Sequence, residues 1–400
     1  MNPYWLEGLK PEAAPLSGAV DADVVVIGAG LCGASAALAL AEAGLAPRWV
    51  ERGYVSVGAS GRNAGFVLQG TAERYSRAIA VMGHERARRV HAWSRENHAA
   101  MAGAVSRYDI DCAYQKRGSL QLACSEDEER ELLESAALLT ADGFPARVLV
   151  GADLPACYRD AGFHTGVHLP DDGELHPAQF VRGLARAAVS AGAVLHEATA
   201  VDRIDAQGAG DVTVHTASAA GAGTIRASLV VVCTNAYAGG ILPFFADKVD
   251  PVRGQMLATA PAPALFDCPV YADHGFDYWR QDEHGRIVLG GWRNLDPTAE
   301  VGTDETLHEG IQTRMVEFLH RFAPLRDVPI THRWSGTMGF SRDGLPICGP
   351  VPGAPGVMAA VGFTGHGFGF AFLAGKAMAE LVTDGRSDFA DAFPSRRFAV

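Results

Sequence analysis

The chain has 400 residues, 48% of them hydrophobic, and a formal net charge of −12 from 34 basic and 46 acidic side chains. That length suits two domains, or one with a large insertion, and the apolar fraction excludes a disordered or low-complexity chain. The negative charge, without any basic run, argues against nucleic acid or an anionic membrane as partner. No apolar run reaches the length of a bilayer span, and the longest, Phe368 to Leu381, is broken by Gly375, Lys376 and Glu380.

Residues 1 to 22 form a proline-rich lead-in with neither the basic nor the apolar region of a secretory signal. Tyr4 and Trp5 are expected to pack on the outside of the body. The seven cysteines, an odd number with no C-x-x-C pair, read as reduced thiols and point to a cytoplasmic location. No His, Cys or acid cluster has metal-ligand spacing, so no metal is expected.

Residues 23 to 51 organise the chain. Asp23 to Ile27 is a β-branched run typical of a buried parallel strand, followed by Gly28, Gly30 and Gly33 as G-x-G-x-x-G and an alanine-rich helix that Gly44 closes. Trp49 and Val50 form a second short strand that ends in Glu51. Gly28 permits the tight turn, Gly30 a close pyrophosphate, and Gly33 close packing of helix on strand, while Glu51 can accept two ribose hydroxyls. This stretch predicts a dinucleotide site and leaves NAD and FAD equally open.

A glycine-rich loop, 55 to 67, follows, with Arg62 and Asn63 set between glycines; it suits backbone passing close to a flat ligand. Residues 71 to 107 predict a long amphipathic helical region, on which His84, His91 and His98 form a half-exposed polar stripe rather than a metal site. Next come a strand over 118–124, an acid-started helix over 125–141, a strand near 147–150, an Asp-Gly turn and a proline-started helix over 178–191. A meander then feeds the apolar strand 229–240, which breaks at Thr234 and Asn235 as if ending at a ligand. Antiparallel strands fill 249–332, closed by a helix over 305–322; the chain returns through a strand at 357–361 and a last helix ending near residue 382.

The order of these parts resembles the FAD-dependent amine and amino-acid oxidoreductases of the D-amino-acid-oxidase superfamily. The resemblance is carried by G-A-S-G-R-N-A-G (58–65), P-V-R-G-Q (251–255), W-S-G-T (334–337), D-G-L-P (343–346) and G-H-G-F-G-F (365–370), and the γ-glutamylputrescine oxidase branch is most similar. It implies FAD, held without a covalent bond, because Thr337 stands where sarcosine oxidases carry a flavin-linked cysteine. The implied fold is α/β with an α+β substrate part: a Rossmann-type FAD domain from residues 1–90, 151–240 and 333–400, and a discontinuous antiparallel-sheet substrate domain from 91–150 and 241–332.

By the same resemblance, Gly28, Gly30, Leu31, Cys32 and Gly33 would hold the pyrophosphate and Glu51 and Arg52 the ribose. Ala59, Ser60, Gly61, Arg62, Asn63, Ala64 and Gly65 would run beneath phosphates and flavin, and Ala200 and Val201 would cover adenine. Thr234, Asn235 and Gly336 would complete the site. Gly365, His366, Gly367, Phe368 and Gly369 would bring a helix start to the flavin, whose positive end favours the reduced form. Tyr278, Trp279, Trp334, Met338 and His366 are the candidates to line the substrate pocket, although alternation puts Trp279 on the face opposite Tyr278 and Arg280.

Met338 and Gly369 occupy positions where relatives carry the arginine or lysine that binds an α-carboxylate. A carboxylate buried without a charged partner is costly, so an amine, or an acid whose carboxylate lies far from the reacting carbon, is the expected substrate. The implied reaction moves hydride from the carbon of a neutral amine to flavin N5, and the imine hydrolyses. O2 is the expected acceptor; no lysine occurs on the strand 286–292, where sarcosine oxidases activate oxygen, so a dehydrogenase serving a carrier or quinone stays open. A noncatalytic or complex-bound flavoprotein is the alternative of another class.

Overall fold

A computed structural model describes residues 3–208 and 210–399. The sequence folds around two eight-stranded sheets. In the first, Gly18–Ile27 lies parallel to Gly221–Val232 on one side and Arg48–Val50 on the other, with Val357–Val361 and Val194–His196 extending it in parallel. Ile27 pairs with both Val50 and Val232, so three carboxyl ends stop side by side, directly before Gly28, Glu51 and Cys233. Such an alignment leaves a crevice beyond the strand ends, the usual ligand position in an open parallel sheet.

The strands reach that point because Val24 to Ile27 and Val230 to Val232 are apolar on both faces. On one face the helix Leu31–Glu42 packs against Pro177–Ser190 and Gly367–Thr383. Its alanines are buried almost all round, which lets neighbouring helices approach closely. On the other face lie Val25, Ile225, Val230 and Phe245.

The second sheet runs in the order Ile330–Ser341, Val249–Pro261, Arg286–Gly291, Asp277–Gln281, Val270–Ala272, Ser119–Leu122, Thr165–Leu169 and Arg147–Val150. Its pairs are antiparallel except where Val270–Ala272 meets Ser119–Leu122. One face carries a core of Trp279, Phe266, Phe318 and Phe322 under the helix Glu309–Leu319. Tyr278, Met256 and Val288 pack on the other face with Phe66 and Trp334.

The structure corrects the expected boundaries. Thr165–Leu169 pairs with Ser119–Leu122, so part of the 151–240 segment belongs to the second sheet. Ile330–Ser341 is an unbroken edge strand of that sheet and spans the boundary placed at 333. His84–Arg107, most of it assigned to the substrate part, packs instead on the helix Gly367–Thr383. Patterning reveals an element's period, and strand partners lie elsewhere in the chain.

The expected 71–107 helical region is made of two helices, Tyr75–Met82 and His84–Arg107, joined at Gly83 with φ +83°. His91 and His98 are buried rather than half-exposed, and burial lowers their pKa values to about 3 and about 4. The 305–322 helix is shorter, Glu309–Leu319, because His308 caps it by accepting the Ile311 N–H at 3.2 Å. Trp5 is buried rather than external, and its indole N–H donates to the Asn63 carbonyl at 2.8 Å. No helix among the described residues is long and apolar enough to cross a membrane.

Candidate active site

A cavity of about 660 Å3 runs from the carboxyl ends of the parallel strands to the inner face of the second sheet. At the strand ends Gly28, Gly30, Leu31, Cys32, Glu51, Arg52, Ala200, Val201, Thr234 and Asn235 all reach its wall. The turn is held from behind: the Trp49 indole N–H donates to the Gly28 carbonyl at 2.8 Å. Gly33 is not in the wall. A Cβ there would stand 1.9 Å from the Gly28 oxygen, so its part is the close packing of helix on turn.

Gly30 is the N-cap of the helix Leu31–Glu42 and has no side chain to cap it, while Ser60 Oγ accepts the Leu31 N–H at 2.9 Å. The start of a helix of this length carries partial positive charge and further N–H groups beyond Leu31, a fitting receptor for phosphate oxygens. Glu51, 9% exposed, accepts the N–H of Ala29 at 2.7 Å and of Gly53 at 2.8 Å. Burial raises its pKa, and those two hydrogen bonds oppose the rise. Arg52 stacks on Tyr237 at 3.9 Å.

The loop after the second strand keeps its shape by internal bonds. Asn63 Nδ2 donates to the carbonyls of Ala59 (2.9 Å) and Ser60 (3.0 Å), and Asn63 Oδ1 accepts the Gly65 N–H at 2.7 Å. Arg62 donates to the carbonyls of Val57 and Ser335 and pairs with Glu305 at 2.8 Å. Ala59, Ser60, Arg62, Asn63 and Ala64 line the cavity, whereas Gly61 and Gly65 face protein, against Leu6 and Leu175. Those two glycines, expected at the ligand, serve packing instead.

At the far end the helix Gly367–Thr383 begins at the wall, and its N-cap, His366, makes no side-chain cap. Gly365, at φ +76°, turns the chain into that helix; Gly336, His366, Gly367, Phe368 and Gly369 line the cavity beside it. Burial lowers the His366 pKa to about 4, so its ring is neutral at pH 7, and Nδ1 is buried without a hydrogen-bond partner among the described residues. Thr234 Oγ1, in the same cavity, also lacks a partner.

Tyr278 and Met338 also reach the wall, Met338 Sδ lying 3.7 Å from where a side chain on Gly365 would begin. The Tyr278 hydroxyl meets Met256 Sδ at 3.4 Å, and burial pushes its pKa up to about 12. Two candidates are displaced. Trp279 is fully buried on the other face of the sheet, 4.9 Å from Phe318, as alternation requires. Trp334 is also fully buried; its indole N–H donates to the Arg62 carbonyl at 2.9 Å, so it fixes the loop and does not touch the cavity. Arg280 is turned away, paired with Glu174 at 3.2 Å and donating to the Leu175 carbonyl at 3.0 Å.

Among the wall residues missed from sequence are Tyr271, Met256, Phe276, Arg293 and Phe340. Alternation along the 270–272 strand could have suggested Tyr271. Arg293 had no such signal, since it sits in a short turn, Arg293–Leu295, that follows the left-handed Trp292.

The sequence profile of FAD dependent oxidoreductases matches residues 23–381. The chain belongs to this family. Its cofactor is FAD, and it is an oxidoreductase acting on amine or amino-acid substrates. It is 30% identical over 392 residues to a probable oxidoreductase, OrdL, of Rhizobium meliloti, covering 94% of this chain and 87% of that protein. It is 28% identical to the gamma-glutamylputrescine oxidoreductase of Escherichia coli, covering 94% and 87%. Among solved structures, glycine oxidase from Geobacillus kaustophilus superposes with a TM-score of 0.79 at 23% identity, over 94% of this chain and 99% of that one. L-proline dehydrogenase from P. horikoshii gives 0.76 at 22% identity, over 95% and 96%. These two show the shared fold.

Proposed function

We propose that the chain oxidises the C–N bond of an amine or amino-acid derivative in the chamber between His366 and Tyr278, and that the imine formed is hydrolysed in water. Bound FAD supplies a two-electron acceptor for hydride. The residues fit it: two helix starts whose N-cap residues make no side-chain cap reach one cavity, and Glu51 sits at the end of the second strand, where a ribose would lie. Thr234 Oγ1 and His366 Nδ1 are polar atoms waiting for a partner in the same cavity. In this reading the Gly30–Leu31 turn holds the pyrophosphate, residues 59–64 support the phosphates and flavin, Ala200 and Val201 cover adenine, and the 365–369 segment faces the flavin ring. Thr337, in the wall, offers a hydroxyl where a thioether link would need a cysteine, so the flavin is held noncovalently.

The observation that carries the chemistry is the character of the chamber beyond that cradle. Tyr271, Tyr278, Phe340, Met256 and Met338 supply aromatic and thioether surface. Aromatic faces attract an ammonium as it arrives and exclude water around the neutral amine. Neither titratable group is a strong base at neutral pH: the His366 ring, with its pKa lowered to about 4, accepts a proton only weakly, and the Tyr278 phenol keeps its proton to about 12. The side chains therefore position a neutral amine, and its own lone pair drives loss of hydride.

The relatives' names speak of gamma-glutamylputrescine and of glycine, an amine and an amino acid. An anaerobic screen of polyamines, N-methyl amines, acylated diamines and free α-amino acids, read as loss of flavin absorbance, tests the proposal. Bleaching by an amine supports it, and bleaching by none of them overturns it. Admitting air then identifies the acceptor: hydrogen peroxide in proportion to amine marks an oxidase, and turnover only with an added carrier marks a dehydrogenase.

A further inference from the structure

Four arginines line the cavity: Arg52, Arg62, Arg74 and Arg293. Three have evident work. Arg62 pairs with Glu305 and two carbonyls, Arg74 pairs with the buried Glu128, and Arg52 lies at the adenine end beside Glu51. Arg293 differs. Its guanidinium lies between two rings, 4.6 Å from the centre of Phe276 and 4.8 Å from that of Phe340, and among the described residues no acid or carbonyl accepts from it.

We propose that Arg293 binds a carboxylate of the substrate, so that the substrate is an amine that also carries an acid group. A guanidinium held face-on between two rings has its orientation set before a ligand arrives, and its five N–H donors stay free at its edge. That fork matches a carboxylate in bidentate geometry. Phe340 links the position to the reacting end: its ring tip comes within 3.7 Å of where a side chain on Gly365 would begin, one residue before His366. Tyr278 is close enough for the cation to act on its phenol.

Burial opposes the charge on Arg293, and no carboxylate among the described residues pairs with it to offset that cost; an anionic ligand would. The site also answers the difficulty raised by Met338 and Gly369. Where those positions lack a cation, Arg293 brings one from a different strand end, and an acid group placed there need not sit on the reacting carbon.

The proposal rests on the amine-oxidising reading but is tested without turnover. The holoenzyme is titrated with benzoate and with its neutral counterpart benzamide at constant ionic strength, following the flavin spectrum, in wild type, Arg293→Met and Arg293→Lys. Benzoate is expected to bind wild type more tightly than benzamide, to weaken roughly 30-fold or more in Arg293→Met, and to recover in part in Arg293→Lys. Benzoate binding that is no tighter than benzamide binding in wild type, or equal in wild type and Arg293→Met, overturns it. Full flavin content in each variant certifies that the fold is intact, and the lysine variant carries the test if the methionine variant loses flavin. A benzoate effect that depends on Arg293, in a protein that no amine bleaches, would leave the clamp standing and refute the oxidation; the reverse result would do the opposite.

Discussion

The two helices whose starts face the cavity cross where Gly375 meets the helix Leu31–Glu42. A Cβ on Gly375 would lie 2.3 Å from the Cys32 oxygen, 2.7 Å from Ser35 Cβ and 2.8 Å from the Ala36 nitrogen. Two of these atoms are backbone, so no side-chain rotation relieves the clash, and the helices must separate by roughly 1 Å to reach ordinary contact. Overpacking of this kind costs about 1–3 kcal/mol. The same separation stretches the Ser35 hydroxyl bond to the Phe372 carbonyl, now 2.6 Å, a loss of about 1 kcal/mol. Gly375→Ala is therefore expected to lower unfolding stability by about 3 kcal/mol in urea titration. It should also reduce the flavin retained on purification, because both helix starts move. Gly103→Ala is the control: it lies within His84–Arg107 with nothing within 4 Å of its Cβ, and alanine there should add roughly 0.5–1 kcal/mol. If Gly375→Ala matched wild type in both stability and flavin content, close helix packing would not be what sets the cradle.

Other outcomes are equally specific. Glu51→Gln removes the charge and one of the acceptor oxygens proposed to take a ribose hydroxyl; bonds to charged acceptors are worth about 1.5–3 kcal/mol, so FAD affinity by fluorescence quenching should fall roughly 10- to 100-fold, and unchanged affinity would remove Glu51 from the cofactor site. Tyr278→Phe removes a hydroxyl whose contact is a thioether, and the anaerobic reduction rate should fall less than about 10-fold; a loss of a thousandfold would make the phenol a catalytic acid or base. Because the His366 pKa lies lowered at about 4, its ring stays neutral at every pH from 6 to 9. The rising limb of the reduction rate should then track the pKa of each amine tested, and a limb fixed near 6.5 for all amines would mean that the histidine titrates.

What the sequence made legible was local. The strand, glycine turn, helix and acid of residues 23–51 form one continuous βαβ unit, and their pattern announces the crevice that the parallel pairing creates. The flanking motifs marked the right regions, but the residues within them often serve structure. Arg253 and Gln255 of P-V-R-G-Q hold the buried Glu300, and Asp343 of D-G-L-P binds Arg397 at 2.7 Å. Trp279 and Trp334 misled because an aromatic side chain suits a core as well as a pocket, and only the neighbouring layer decides. Arg293 was invisible because what sets it apart is that no acid among the described residues pairs with it, and that can be seen only once distant residues are brought together.

Anaerobic mixing of the purified flavoprotein with amines is the most direct measurement of the central claim. Loss of flavin absorbance with an amine, at a rate saturating in amine concentration, is the expected result. A flavin that stays oxidised in the presence of every amine and amino acid offered would contradict it.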